Sequence, residues 1–225
     1  MSERAVRSSV GQSGGVRRAV LVTSALAVVL VAAAAGLVWA AFAGVGPADE
    51  DAAALSAAID VRSGGLTTAA VVVTNLGSTL SMGVVALVAG ALLVWRGRRF
   101  EGIWLVGTAL TASAVFTLVK RFLDRPRPPA AVRLLDVGNE SLPSGHATMA
   151  VAVIGALVVL AWPHLAGGSR VLVAVAAVVW VVLVGLTRVY LGVHWWSDVL
   201  AGWATGAAWL AVCTGLLLRA RSSRS

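Results

Sequence analysis

Long apolar runs separated by short clusters of charge set the pattern of this chain. Six runs read as membrane-crossing helices, at about residues 19–45, 72–95, 102–119, 145–162, 171–187 and 198–218. Crossing roughly 30 Å of hydrocarbon at about 1.5 Å per residue takes about 20 mostly apolar residues. Thr74, Asn75 and Ser78 dilute the start of the second run. Residues 49–65 are polar and rich in Ala and Gly, and predict a loop carrying a short surface helix. The expected fold is all-α: a polytopic membrane protein with one six-transmembrane-helix bundle over 19–218, and tails at 1–18 and 219–225.

Composition agrees. With 59% hydrophobic and only 12% charged residues among 225, the chain is too apolar for an ordinary soluble domain. Arg4, Arg7, Arg17 and Arg18 precede the first run as they would in a signal peptide. That run exceeds the roughly 7–15 apolar residues of such a peptide, so it reads as a retained span. The net charge of +8 comes from arginine, Lys120 being the only lysine. Arginines flanking spans explain it better than nucleic acid, since no soluble basic module is visible. Cys213 is the lone cysteine and lies in an apolar run, so a packed thiol is expected. Nothing in the sequence sets an oligomeric state.

Arginine placement orients the bundle. Arg4 to Arg18, the Arg96, Arg98 and Arg99 turn, Arg170, and the final arginines all fall on one side of six spans. The positive-inside rule makes that side, with both termini, cytoplasmic. Asp49, Glu50 and Asp51, residues 120–143 and residues 188–197 then face outside. Lys120, Arg121, Arg125, Arg127 and Arg133 sit there against the rule. An anionic ligand gives them a reason; neutralisation by Asp124, Asp136 and Glu140 is the plainer alternative. Trp95, Trp104 and Trp162 near inner boundaries, and Trp39, Trp195 and Trp196 near outer ones, read as interfacial belts.

The outer segments carry three chemical clusters. His194 and Asp198 are four apart and share a face if a helix begins near residue 194. A carboxylate on one ring nitrogen fixes the tautomer and frees the other nitrogen to attack. A simple helix cap is the alternative, against which Arg188, six residues upstream, weighs. Pro143, Ser144, Gly145 and His146 read as a helix start. Ser144 would be the N-cap, Gly145 would allow close approach, and His146 could protonate a leaving oxygen. Free N–H groups at such a start suit a phosphate; an ordinary helix start that happens to contain His is the alternative. Lys120 and Arg127 frame a loop stiffened by Pro126, Pro128 and Pro129. With Arg188 they would neutralise phosphate oxygens, or else bind headgroups or acidic loop partners. His164 stands alone beside Pro163 and reads as a surface residue. No His-Glu-x-x-His, paired-carboxylate or Cys cluster offers a metal site, so neither metal nor cofactor is expected.

Taken together, the clusters resemble the three motifs of the type-2 phosphatidic acid phosphatase family, whose superfamily includes vanadium haloperoxidases and bacterial acid phosphatases. Lys120, Arg127 and Pro128 match Lys, six residues, Arg-Pro; residues 143–146 match Pro-Ser-Gly-His without change. Thr187, Arg188, His194 and Asp198 match the third motif, with Thr for Ser as the single departure. The resemblance covers about residues 77–218. It implies His194 as the nucleophile forming a phosphohistidine, Asp198 as its orienting partner and His146 as the acid for the leaving group. Lys120, Arg127, Ser144, Gly145 and Arg188 would hold the phosphate. The implied protein is a metal-independent lipid phosphate phosphatase of a bacterial plasma membrane, with its site on the extracytoplasmic side. Its expected substrate is a polyprenyl diphosphate such as undecaprenyl diphosphate, phosphatidic acid or phosphatidylglycerophosphate. A phosphotransferase using the same phosphohistidine, and a non-enzymatic lipid-binding or transport protein on the same fold, are the competing classes.

Overall fold

The structure is a computed structural model that describes the backbone of residues 3–222 and the side chains of residues 20–222. The ends of the two expected tails, 1–2 and 223–225, lie outside the described residues. Eight α-helices follow in order: α1 (Glu3–Ala43), α2 (Asp51–Asp60), α3 (Gly64–Leu76), α4 (Thr79–Trp95), α5 (Arg99–Leu123), α6 (Gly145–Ala161), α7 (Gly167–Tyr190) and α8 (Trp196–Ser222). Five segments are long and apolar enough to cross a membrane: Val20–Ala43, Arg99–Leu123, Gly145–His164, Gly167–Tyr190 and Trp196–Ser222. The sixth is a broken one, because α3 and α4 meet at a 46° bend.

That bend corrects the expected second span. The helix starts at Gly64, not near residue 72, and breaks at Gly77 and Ser78. Ser78 caps α4 by accepting the Ser81 N–H at 3.1 Å. Gly77 is pressed against α7, where an added Cβ would lie 2.4 Å from a Val184 methyl. The polar residues that dilute the sequence signal are thus the joint of a bent helix. The predicted surface helix within 49–65 is α2.

The bundle is organised around α6, which packs against α4, α5, α7 and α8. Leu105, Ala109, Ala112 and Phe116 of α5 meet Met149, Ala152, Val153 and Ala156 of α6 in the core. Between α6 and α8, small residues bring the backbones together. A Cβ on Gly202 would lie 2.7 Å from the Ser144 carbonyl oxygen, and one on Gly206 would lie 2.6 Å from that of Thr148. This Gly-x-x-x-Gly spacing is a known route to close helix contact in membranes. The Thr148 hydroxyl donates to the Gly202 carbonyl at 3.1 Å across the same seam.

α1 runs along α8, with Arg219 donating to Ser24 at 3.2 Å and Ala41 packed against Leu142 and Ala201. The alternating helices bring the C-terminal ends of α5 and α7 and the N-terminal ends of α6 and α8 to one end of the bundle. Arg96, Arg98, Arg170, Arg219 and Arg221 lie at the other end, where Arg221 bonds Glu101 at 2.8 Å.

The six tryptophans near span ends split into two groups. Trp39, Trp95 and Trp162 are exposed. Trp104, Trp195 and Trp196 are half-buried and have partners within the protein. Trp104 donates to the Cys213 carbonyl at 2.8 Å, Trp195 donates to the Pro126 carbonyl at 2.9 Å, and Trp196 meets Trp203 edge to face at 5.7 Å. Cys213 is buried and His164 exposed.

Candidate active site

All three motifs converge at one end of the bundle. α5 ends at Asp124, whose left-handed backbone (φ 43°) turns the chain into the proline-rich loop. Lys120, in the last turn and 4% exposed, donates its ammonium to the Glu140 and Ser141 carbonyls at 2.5 and 3.1 Å. One of its three protons is left over for a ligand. Arg127 is braced on two sides. Its Nε donates to the Asn139 carbonyl at 2.7 Å and its Nη2 to Asn139 Oδ1 at 2.6 Å. Its Nη1 bonds the Val193 carbonyl and lies 3.0 Å from His194 Nε2. Arg133 donates to the Pro128 carbonyl at 2.6 Å and so locks the loop to itself.

Ser144 holds the N-cap position of α6, but no side-chain cap bond forms. Its backbone N–H donates to the Asp198 carbonyl at 3.0 Å, tying the start of α6 to the start of α8. Its hydroxyl is buried and lacks a partner. The first helical N–H groups that follow are those a helix start leaves without intrahelical partners. Gly145 owes its identity to packing, since a Cβ there would meet the Phe116 ring at 2.8 Å. His146 follows in the first turn of α6.

Arg188 lies in the last turn of α7, 3% exposed. Its Nη1 donates to the Thr74 hydroxyl at 2.6 Å, while its buried Nε has no partner. Thr187 bonds back to the Val184 carbonyl at 2.6 Å. Its hydroxyl therefore serves the helix, and Thr for Ser is a mild change here. Gly192 takes the turn at φ +69°, with the Val132 carbonyl 2.5 Å from where a Cβ would sit. Both the Val193 and His194 N–H groups then donate to the Arg188 carbonyl, at 3.1 and 3.2 Å.

His194 precedes α8, which begins at Trp196, so it does not share a helical face with Asp198. The pair meets through a turn: His194 Nδ1 lies 3.3 Å from Asp198 Oδ2, and that same oxygen accepts the Trp195 N–H at 2.9 Å. The Ser141 hydroxyl and Arg125 Nη1 also bond the Asp198 carboxylate. The tautomer follows. A guanidinium has no acceptor, so Nε2 facing Arg127 carries the lone pair and Nδ1 carries the proton given to Asp198. Burial first, then Arg127, Arg188, Lys120 and His146, hold the His194 imidazole well below its usual range and keep it neutral. Burial also lowers Arg127, to about 10, which leaves it charged at neutral pH. The site thus pairs a neutral imidazole nitrogen with three cations and two unpartnered buried polar atoms, Ser144 Oγ and Arg188 Nε.

Sequence reasoning missed Thr74 as the partner of Arg188 and Ser141 as a partner of Asp198, and it missed Ser197 and Asp51, which bond Arg125 beside Asp198. It also took Arg125 for part of an anion-binding cluster, whereas Arg125 is bound by Asp51 and Asp198. Among the described residues, Asp124, Asp136 and Glu140 form no ion pair, so the local-neutralisation alternative does not hold for Arg125. Thr74 carried a signal, as one of the polar residues in an apolar run. Asp51 carried none beyond its charge.

Comparison with known proteins gives the family. The sequence profile of the PAP2 superfamily matches residues 101–222. Phosphatidylglycerophosphatase B of Bacillus subtilis (strain 168) is 30% identical over 159 residues, covering 69% of this chain and 77% of the relative. An undecaprenyl-diphosphatase of Sulfolobus acidocaldarius is 31% identical over 133 residues, covering 55% and 58%. The crystal structure of a transmembrane PAP2-type phosphatidylglycerolphosphate phosphatase from Bacillus subtilis superposes with a TM-score of 0.75 at 26% identity, covering 86% of this chain and 96% of that one. The chain belongs to the PAP2 superfamily.

Proposed function

We propose that this protein hydrolyses a phosphate or diphosphate from a membrane lipid through a phosphohistidine on His194 Nε2. The observation that carries the reading is the free Nε2 lone pair of a carboxylate-held imidazole, set among Lys120, Arg127 and Arg188. A phosphoryl group drawn to Ser144 Oγ, Arg188 Nε and the start of α6 would compete with Nε2 for Arg127. That exchange exposes the lone pair at the moment substrate arrives. Nε2 then attacks phosphorus, the P–O bond to the lipid breaks, and His146, protonated once the phosphate anion is bound among the cations, gives that proton to the leaving oxygen. Asp198 stabilises the positive imidazolium, and the cations hold the equatorial oxygens. In the second step His146 takes a proton from water. The hydroxide attacks phosphorus, the P–N bond breaks, and inorganic phosphate leaves with His194 restored. The three cations take the charge-neutralising role, so no divalent ion enters either step.

The substrate class comes from the setting, since a site at the end of apolar helices takes a lipid headgroup. The names of the relatives support phosphatidylglycerophosphate and undecaprenyl diphosphate, and phosphatidic acid shares their chemistry. The site faces the extracytoplasmic side, with both termini in the cytoplasm of a bacterial cell. This is supported by Arg96, Arg98, Arg170, Arg219 and Arg221 at the opposite end of the bundle. Residues 19–218 form the membrane phosphatase domain.

The test is phosphate release by purified protein in detergent with excess EDTA, on the three lipids side by side. Release by wild type that is lost in His194→Ala supports the proposal. No release from any lipid, or a phosphorylated acceptor in place of free phosphate, overturns hydrolysis.

A further inference from the structure

The catalytic carboxylate belongs to a larger charged group. Arg125 Nη1 bonds Asp198 Oδ1 and donates to Ser197 Oγ at 2.9 Å, while its Nη2 donates to Asp51 Oδ2 at 2.7 Å. Asp51 in turn accepts the Ser197 backbone N–H at 2.8 Å and its hydroxyl at 2.6 Å. The carboxylates and the serine are buried, with Asp51 6% exposed, Ser197 1% and Asp198 0%, and the Arg125 side chain is 13% exposed. Asp51 opens α2 and lies far from the three motifs in sequence.

The arrangement poses a question of charge. Asp198 is useful to His194 only if its negative charge is available as the imidazolium forms. An arginine in direct contact would cancel that charge if it had no other partner. The guanidinium has two ends, and the second is taken by Asp51. The set Asp51, Arg125 and Asp198 therefore carries one net negative charge beside a histidine that turns positive on phosphorylation. Without Asp51 the set is neutral, and the new imidazolium faces Lys120, Arg127 and Arg188 uncompensated.

We propose that Asp51 is a positioning residue of this reaction: it neutralises Arg125, leaves the Asp198 charge to His194, and fixes the first turn of α8 through Ser197. The inference rests on the roles given above to His194 and Asp198. It assigns to the segment between the first two spans the task of completing the electrostatics of the site.

The test uses the full-length protein in detergent. Asp51→Glu and Asp51→Gln have equal length and differ in charge, and Asp51→Asn is the isosteric neutral form. The neutral forms are expected to lose about 10- to 100-fold in kcat with KM changed less than threefold, because the lost interaction strengthens only as charge develops. Glu is expected to run at least tenfold above Gln. Charge compensation further predicts rescue: Asp51→Asn combined with Arg125→Gln restores one net negative charge, and should exceed Asp51→Asn alone at least fivefold in kcat. A purely structural role predicts the opposite, a double variant no better than the worse single one. Equal kcat for Glu and Gln, or no rescue in the double variant, overturns the proposal. A wild type that releases no phosphate from any lipid overturns the function and this inference together; an active wild type matched by the Gln variant overturns this inference alone.

Discussion

Replacing Gly202 by Ala tests whether the α6–α8 seam sets the geometry of the site. The new Cβ would stand 2.7 Å from the Ser144 carbonyl oxygen and 2.9 Å from the Ala147 Cβ. The first is backbone and the second is a stub on Cα, so neither can swing away. The helices must part by several tenths of an ångström. Overpacking of this kind costs about 1–3 kcal/mol, offset by up to about 1 kcal/mol from the better helix propensity of Ala. A net loss of about 1–2 kcal/mol is expected. The functional cost is separate. Parting the seam stretches the 3.0 Å bond from the Ser144 N–H to the Asp198 carbonyl, and so shifts the phosphate cradle relative to His194. A 1 Å misplacement costs roughly 100-fold, so about a tenfold fall in kcat is expected here. Gly107→Ala is the control, because a Cβ there has nothing within 4 Å. It should be neutral or stabilising by up to about 1 kcal/mol, with kcat unchanged. Thermal unfolding in detergent and phosphate release measure the two effects. Gly202→Ala with wild-type melting and kcat, or equal damage from Gly107→Ala, would refute the reasoning.

Three further outcomes follow from individual contacts. Thr74→Val removes the hydroxyl that accepts from Arg188 at 2.6 Å, a bond to a charged group worth about 1.5–3 kcal/mol. It should lower kcat/KM about 10- to 100-fold, and Arg188→Lys, which gives up the planar fork, should lower it at least as much; steady-state kinetics on one lipid decide. His194 is held neutral in the fold by burial and its cationic neighbours, while in the unfolded chain it binds a proton below about 6.5. Its contribution is therefore present above pH 6.5 and lost as pH falls, approaching about 1.4 kcal/mol per pH unit. Melting curves from pH 7.5 to 5 should show that slope flattened in His194→Phe, and parallel slopes would contradict it. For sidedness, a cysteine replacing exposed Asp136 should react with an impermeant thiol reagent in intact cells, and one replacing exposed Gly168 should not.

The membrane spans and the motif residues were legible in the sequence because each rests on a local signal. An apolar run of sufficient length has few alternatives in a bilayer, and the motif spacings survive as read. The supporting partners were not legible. Asp51 meets Arg125 across 74 positions, and Thr74 meets Arg188 across 114. Only the packing of α2 and α3 against α7 and α8 brings them together. The second span failed at its start because hydropathy measures apolarity, whereas a helix bent at Gly77 and Ser78 can carry Thr74 inward to a buried arginine. The i, i+4 reading of His194 and Asp198 found the right pair through the wrong geometry. The two meet across a turn that Asp198 itself caps through the Trp195 N–H. At Gly145 the missing side chain has a packing reason that the sequence did not show, since it makes room for the Phe116 ring.

The central claim is a covalent phosphate on His194 Nε2, and rapid quenching tests it most directly. Wild-type protein in detergent and excess EDTA is mixed with a lipid phosphate carrying a radioactive terminal phosphate, quenched in alkali within milliseconds, and digested for peptide mapping. Label is expected on the peptide containing His194, stable to base and lost in acid, and absent from His194→Ala. Label that persists in His194→Ala, or phosphate release by wild type with no labelled protein at any quench time, would contradict it.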